Sequence, residues 1–252
     1  MYKILAETLF LGKELIYVPS CHSTNDLALL KLTEPDTKEG LIIVSGHQTN
    51  GRGQRGNVWQ SVPDKNLLFS LILKPKWLRA DKQFYLNIIS SLAIKACIES
   101  LLINRRAQIK WPNDMLLDKK KVAGILIENS IRKANLESSV VGIGLNVNQR
   151  TFNQLNATSI SKGGNGDYLF NSVLETLIYQ FEKYYLLLKA EKYQELKSEY
   201  LASLYGFEQE IELRSEIEFI GKITDVEDSG LVVIEQNAKR NKFNFKEIEF
   251  LF

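Results

Sequence analysis

A glycine-rich polar loop at residues 46–61 carries residue types that hold anions. Three closely spaced glycines leave its backbone amides unhindered, and Arg52 and Arg55 stand among them. Amides and guanidiniums together suit a flexible polyanion such as a triphosphate. A surface turn without any ligand has the same composition, so this segment alone leaves both interpretations open.

The same loop matches two nucleotide-binding motifs in spacing only. Residues 51–56 read GRGQRG and fit GxGxxG, and residues 46–51 have the glycine spacing of a P-loop. The dinucleotide motif opens a helix and is followed about 20 residues later by an acidic residue. Here the loop leads toward a strand, and residues 71–76 contain no acid. Arg52-Gly53 replaces the Lys-Ser/Thr pair of a P-loop, so both interpretations are rejected.

A second polar segment, residues 110–114 (KWPND), combines a stiff turn with two polar side chains. Pro112 restrains the residue before it to an extended conformation. A turn of this kind presents Asn113 and Asp114 in a fixed direction. Taken alone, the segment is more typical of an Asx-type turn beside a core tryptophan.

Two predicted strands carry polar side chains beside apolar runs. Lys121 precedes the apolar run 122–126, so we expect it to point inward, where a lysine needs an anionic partner. In residues 142–148 (GIGLNVN), Asn146 faces away from its apolar neighbours. The two glycines indicate either a bulge or a close approach to the backbone. A core strand and an amide offered to a ligand are both compatible with this pattern.

Composition excludes several classes of protein. The 252 residues are 44% hydrophobic and 25% charged, which is typical of a globular chain with one large domain or one large and one small domain. Two histidines and two cysteines exclude a disulfide scaffold, a zinc cluster and a Ser-His-Asp set. The net charge of +2 gives no bulk attraction to nucleic acid or membrane. With no signal-peptide pattern and no uncharged stretch of about 18 residues, we expect a cytoplasmic protein.

The pattern of apolar residues predicts a mixed α/β domain followed by a small β-rich module. Strands are predicted at 14–18, 40–45, 66–74, 108–111, 115–118, 122–128 and 138–148. Helices are predicted after Ser23, which supplies N-cap chemistry, and at 81–103, 168–188 and 191–204, with a loop at 161–167. Hairpin-length connections favour a mostly antiparallel sheet. We predict domains at 1–205 and 206–252.

Four segments, in this order, resemble the motifs of biotin protein ligases. They are Ser23-Thr24-Asn25, residues 48–59 (QTNGRGQRGNVW), residues 110–128 (KWPNDMLLDKKKVAGILIE) and residues 142–148. The resemblance covers about residues 14–150, and four motifs in the right order make it specific. It implies an α+β fold: a catalytic domain like that of class II aminoacyl-tRNA synthetases, with a mixed, mostly antiparallel sheet, and a small SH3-like β-barrel at the C-terminus.

The resemblance also implies an activity and a set of site residues. Such a ligase activates biotin with ATP and Mg²⁺ to biotinyl-5'-AMP and transfers biotin to a lysine of a biotin carboxyl carrier protein or a carboxylase biotin domain. The biotin contacts it implies are Ser23, Thr24, Asn25, Gln48, Gly51, Arg52, Trp59, Lys121, Gly124 and Gly142. The nucleotide contacts it implies are Arg52, Gln54, Arg55, Asn113, Lys121 and Asn146. The catalytic residues it implies are Lys121, Arg52 and Asp114.

Two departures from the family pattern shape further expectations. Many relatives carry an arginine where this chain has Gln54, at a position that helps some of them retain the adenylate. Residues 1–22 are too few for the winged helix-turn-helix domain of bifunctional relatives, so we expect no repressor activity and no sequence-specific DNA binding. A homodimer formed through an exposed sheet edge is compatible with the sequence.

Two other functions compete with this interpretation. A lipoate ligase or transferase shares the fold and the acyl-adenylate chemistry, although the KWPND segment and the GRG loop favour biotin. A biotin-responsive regulator without catalysis is the other alternative. The presence of Arg52, Asn113, Asp114 and Lys121 argues against it, because passive binding needs no groups for a triphosphate.

Overall fold

The computed structural model describes residues 7–153, 156–164 and 166–251, except for the side chain of Arg55. A seven-stranded sheet in the order β1-β2-β3-β7-β6-β5-β4 forms the larger part of the fold. Its strands are β1 (Leu15–Cys21), β2 (Ile42–Gln48), β3 (Asn66–Leu73), β4 (Ala107–Lys110), β5 (Asp114–Leu117), β6 (Lys120–Arg132) and β7 (Asn135–Asn146). Only β1 and β2 pair in parallel, so the prediction of a mostly antiparallel sheet is confirmed.

Five helices accompany this sheet in the described part of the chain. They are α1 (Thr24–Lys31), α2 (Phe84–Leu101), α3 (Ile160–Gly163), α4 (Phe170–Lys189) and α5 (Tyr193–Ser203). Helix α2 packs against α4 and α5, and most of its residues are buried. By length and composition, the segment Ala80–Leu101 could cross a membrane, but 72% of its most apolar 18-residue window is buried inside the fold. The buried core helix of a globular protein can have the same length and apolar composition.

A five-stranded antiparallel sheet follows in the order β11-β10-β9-β8-β12. Its strands are β8 (Ile211–Arg214), β9 (Glu218–Val226), β10 (Val232–Gln236), β11 (Lys239–Phe243) and β12 (Glu249–Phe250). The α+β fold with a β-rich C-terminal part is therefore confirmed. The division at residues 205 and 206 stays a prediction.

Two local predictions were wrong, and one alternative that the sequence left open is resolved. Part of the predicted loop 161–167 is helix α3, because Ser159 caps its start by accepting a hydrogen bond from the Lys162 amide. Ser23 occupies the N-cap position of α1, but its side chain makes no capping bond. No bulge interrupts β7 at its glycines, since the register there is continuous with both neighbouring strands. Those glycines instead allow side chains to approach the backbone closely, as described below.

Candidate active site

A cavity of about 400 Å³ lies where the four motif segments meet. It is enclosed by the start of α1, the glycine-rich loop, strands β6 and β7, the KWPND turn and part of the C-terminal sheet. The predicted site residues that line it are Ser23, Thr24, Asn25, Gln48, Arg52, Gln54, Trp59, Asn113, Asp114, Lys121, Gly124 and Gly142. Ser23 and Gly142, which are 119 positions apart in the chain, are thus brought to one place by the order of the strands.

The parallel pairing of β1 with β2 builds the polar end of this cavity. Cys21 at the end of β1 lies opposite Gln48 at the end of β2, so the start of α1 comes down beside Gln48. Oε1 of Gln48 accepts hydrogen bonds from the amide and the hydroxyl of Thr24, at 2.7 and 3.1 Å. The hydroxyl of Ser70 on β3 lies 2.7 Å from that of Thr24 and 2.6 Å from Oδ1 of Asn25. This network pre-positions donors and acceptors in a buried setting.

Arg52 bridges two carboxylates that the sequence analysis missed. Its guanidinium forms ion pairs with Asp26 and, at 2.6 Å, with Oε1 of Glu128. The other oxygen of Glu128 accepts a hydrogen bond from Nδ2 of Asn25 at 2.8 Å. The hydrogen bond with Glu128 is the main cause that raises the pKa of Arg52 above its usual value. Asp26 directly follows the segment Ser23-Thr24-Asn25, and Glu128 is the last residue of the segment 110–128. Their places beside these motifs are the signal that could have identified them.

Trp59 lies flat on a floor made by two glycines of neighbouring strands. Gly124 on β6 pairs with Gly144 on β7. A Cβ atom added to Gly144 would lie 2.4 Å from Cε2 of Trp59, and one added to Gly124 would lie 2.9 Å from Cζ3. A Cβ on Gly142 would lie 2.1 Å from Oδ1 of Asn25. The close approach inferred from these glycines is therefore made by the protein's own side chains.

Lys121 and Asp114 form an ion pair across strands β5 and β6. Nζ of Lys121 lies 2.6 Å from Oδ1 of Asp114, and 5.4 Å from the centre of a Trp59 ring. The backbone of Lys121 is bonded to Asn156 and Thr158, which hold this end of β6 in place. The anionic partner expected for an inward-pointing lysine is thus Asp114.

Asn113 braces the turn that carries Asp114. Its Nδ2 donates to the carbonyl oxygen of Ile125 at 2.7 Å, and the Ile125 amide donates to the Asn113 carbonyl at 3.0 Å. The peptide bond between Trp111 and Pro112 is cis. The turn is therefore fixed to β6 on the cavity side.

Two of the predicted nucleotide contacts, Asn113 and Asn146, line different cavities, the second of which has a volume of about 630 Å³. Asn146 lines this second cavity and not the first, while Asn113 lines the first. Nδ2 of Asn146 donates to the carbonyl oxygen of Thr158 at 3.0 Å. Trp59 and Lys121 line both cavities, so Lys121 stands where the two spaces adjoin.

The positions of three further predicted residues complete the comparison. Gly51 is not among the described residues that line the first cavity, and a Cβ atom added to it would lie 2.5 Å from the carbonyl oxygen of Trp59. Gln54 begins a short 3-10 turn, residues 54–56, at the rim. The side chain of Arg55 lies outside the described part of the structure.

The C-terminal sheet supplies a wall that the sequence analysis did not foresee. Phe245, Lys246, Ile248, Glu249 and Phe250 line the first cavity. Nζ of Lys110 lies 5.6 Å from the centre of the Phe250 ring. Burial is the main cause that lowers the pKa of Lys110 below its usual value. These residues come from a segment of short alternating strands that resembles any solvated sheet, so no local signal marked them.

Comparison with known proteins agrees with this fold and site. The profile of the biotin/lipoate A/B protein ligase family matches residues 17–146. The chain is 30% identical over 249 residues to the bifunctional ligase/repressor BirA of Bacillus subtilis (strain 168), covering 96% of this chain and 76% of that protein. It is 25% identical over 232 residues to the biotin–[acetyl-CoA-carboxylase] ligase of Mycobacterium tuberculosis, covering 90% of this chain and 85% of that protein.

A solved structure shares the architecture over nearly the whole chain. The biotin protein ligase from Aquifex aeolicus, in complex with biotin and ATP, superposes with a TM-score of 0.78 at 27% identity. The superposition covers 94% of this chain and 98% of that one. Fold and site together define a ligase that attaches a small carboxylic acid to protein. The chain belongs to the biotin/lipoate A/B protein ligase family, and within it to the biotin protein ligases.

Proposed function

We propose that this enzyme works in two half-reactions, through biotinyl-5'-AMP formed from biotin and ATP. The observation that carries the proposal is the place of Lys121, paired with Asp114 where two cavities adjoin. One cavity has a polar end suited to a ureido group, and the other contains Asn146. We assign the first cavity to biotin and the second to the nucleotide. The similar Aquifex aeolicus ligase binds both biotin and ATP, which supports a site with room for two substrates.

In the first half-reaction, a carboxylate oxygen of biotin attacks the α-phosphorus of ATP and pyrophosphate leaves. Both reactants are anions, and charge builds on the α-phosphate as the new bond forms. Preorganised cations offset that charge. Lys121 is the first candidate, because it lines both cavities, and Arg52, which lines the first cavity, is the second.

Biotin recognition divides between a polar and an apolar surface. Ser23, Thr24 and Gln48 offer donors and acceptors to the ureido group at the buried end of the first cavity. The indole of Trp59 offers an apolar wall for the fused ring system. An amide or hydroxyl that already has a fixed direction binds such a group without further ordering.

In the second half-reaction, a lysine of a carrier protein attacks the biotinyl carbonyl and AMP leaves. Only a neutral amine is a nucleophile, and a free lysine has a pKa of about 10.4. We propose that Asp114 orients or deprotonates the incoming lysine. The Asp114→Asn variant is expected to transfer biotin slowly from preformed biotinyl-5'-AMP, and an unchanged transfer rate would show that Asp114 has no such function.

The proposal uses Mg²⁺ only as a companion of ATP. No group of three or more His, Cys, Asp or Glu residues that would hold a metal ion exists among the described residues. Mg²⁺ in nucleotide enzymes is commonly held by phosphate oxygens with one or two carboxylates. No step is therefore assigned to the ion. The cytoplasmic location, the possible homodimer and the lack of repressor activity stay predictions.

Biotin-dependent ATP–pyrophosphate exchange tests the first half-reaction, with lipoate as the control acid. Addition of a biotin carboxyl carrier protein then tests transfer by labelling of a carrier lysine. We expect exchange with biotin and labelling of the carrier. Exchange with lipoate and not with biotin would identify a lipoate ligase. Biotin binding without exchange would identify a biotin-responsive regulator that lacks catalysis.

A further inference from the structure

One buried hydrogen bond joins the C-terminal part of the chain to the KWPND turn. Nε1 of Trp111 donates to the carbonyl oxygen of Gly230 at 2.9 Å. Trp111 is only 2% exposed and directly precedes Pro112, Asn113 and Asp114. A donor or acceptor left unpaired at this depth is costly, so the bond fixes the direction of both partners.

The carbonyl of Gly230 is itself fixed by a turn that requires glycine. Gly230 has a φ of +94°, and a Cβ atom added there would lie 2.6 Å from Cδ2 of Phe84. Hydrogen bonds from the Gly230 amide to the Glu227 carbonyl, and from the Glu227 amide to the Leu231 carbonyl, close the turn at 2.8 Å each. We call residues 227–231 the docking turn. Its carbonyl reaches Trp111 from a position set by packing on α2.

Asp228 attaches the docking turn to the start of α2. Its carboxylate forms an ion pair with Lys82 and accepts a hydrogen bond from the Tyr85 hydroxyl at 2.9 Å. Nζ of Lys82 also lies 5.3 Å from the centre of the ring of Tyr193, the first residue of α5. The docking turn is thus held against two helices behind the site.

Helix α2 holds the KWPND turn as well. Nδ2 of Asn87 donates to the carbonyl oxygen of Pro112 at 2.6 Å. The KWPND turn is therefore held by two hydrogen bonds, one from Asn87 of α2 to Pro112 and one from Trp111 to the docking turn. By contrast, Ser23 and Gln48, at the polar end of the cavity, belong to the start of α1 and to β2.

We infer that the docking turn positions the KWPND turn for the first half-reaction, through the hydrogen bond between Trp111 and Gly230. Trp111 and Asp228 are positioning residues: they act through Asn113 and Asp114, and so on Lys121. The inference rests on the proposed function, because it concerns formation of biotinyl-5'-AMP. It requires adenylation to depend on the docking turn more strongly than biotin affinity does, because the polar end of the first cavity is built by the start of α1 and by β2.

The test compares Trp111→Phe, Asp228→Asn and the double variant. Exchange between ATP and pyrophosphate reports adenylation, and calorimetric titration with biotin reports affinity. Each single variant is expected to lower the exchange kcat about fivefold, the equivalent of one hydrogen bond, with a smaller change in the biotin Kd, because the KWPND turn also lines the first cavity. The double variant is expected to lose less than the product of the two single losses, because both changes act through one link.

Lys222→Gln is the matched control on the same sheet. Lys222 on β9 pairs with Glu235 on β10 at 3.0 Å, several residues from the docking turn. Its removal is expected to leave exchange and biotin affinity unchanged. A loss of exchange in this control would overturn the inference, since any damage to the C-terminal sheet would then have the same effect.

Three other results would overturn the inference. They are unchanged exchange in Asp228→Asn, a parallel loss of biotin affinity in either single variant, and fully multiplicative losses in the double variant. The side chain of Asp228 is 41% exposed, so Asp228→Asn keeps the test decisive even where Trp111→Phe unfolds. Absence of exchange in the unmodified chain would instead refute the proposed function, so the two failures are distinguishable.

Discussion

Replacement of Lys121 by alanine is expected to damage adenylation severely and to spare folding. The side chains of Lys121 and Asp114 are 34% and 22% exposed, so their ion pair is partly solvated. Pairs of this kind contribute about 1 kcal/mol or less to stability. For a chain of this length, that corresponds to a fall in Tm of less than about 4 °C.

The same substitution removes a cation from the place where the two cavities adjoin. Loss of one preorganised group that stabilises a developing anion costs about 100- to 1,000-fold in kcat. We therefore expect biotin-dependent ATP–pyrophosphate exchange to fall by that factor. Thermal unfolding of the same preparation supplies the stability measurement.

The neighbouring Lys120 provides the matched control, because it is exposed beside the turn that joins β5 to β6. Lys120→Ala removes the same charge from the chain and is expected to keep normal exchange. A folded Lys121→Ala protein with a normal exchange rate would refute the assignment. A fall in Tm much larger than about 4 °C would show instead that the ion pair with Asp114 is structural.

Three further predictions concern other parts of the structure. Arg52→Lys is expected to restore little of the biotin affinity lost in Arg52→Ala, because one ammonium cannot reproduce a guanidinium that spans two carboxylates; full recovery in calorimetric titration would contradict this. Gly144→Ala is expected to displace Trp59 at a cost of about 1–3 kcal/mol in stability, seen as altered tryptophan emission and weaker biotin binding; unchanged emission would count against the proposed packing. Burial raises the pKa of both thiols, that of Cys97 to about 12, but Cys97 is fully buried while Cys21 is partly exposed, so a thiol reagent near pH 8 is expected to modify Cys21 alone until the protein is unfolded; rapid labelling of both thiols in the native state would contradict it.

Much of the fold was predictable because its signals are local. The apolar runs of β2, β3 and β6 and the long core helix α2 are visible in hydrophobic pattern alone. Hairpin-length connections correctly favoured antiparallel pairing of β4 with β5, β5 with β6 and β6 with β7. The errors fell where local chemistry has two solutions. Ser159 caps a short helix inside a segment rich in loop residues, and Ser23 occupies the N-cap position of α1 without making a capping hydrogen bond.

The candidate site was predictable as a set of residues but not as an arrangement. The motif segments placed Ser23, Gln48, Asp114 and Lys121 in one site, and the structure brings them to one cavity. The sequence analysis did not find Glu128 as the partner of Arg52. The sequence analysis also assigned Asn113 and Asn146 to the same nucleotide, although these two residues line different cavities. Such pairings depend on strand register and on rotation of side chains, which spacing along the chain does not encode.

The sequence by itself determined which chemical groups this protein has and the order in which short elements present them. Turn residues, apolar periodicity and motif spacing act over a few positions, so they can be identified without coordinates. Only the tertiary structure decided that Trp59 covers a floor of paired glycines, that Lys121 faces two cavities, and that Trp111 reaches Gly230. The physical reason is that these contacts join residues up to 119 positions apart. They form only once the sheet order and close packing have fixed which surfaces meet.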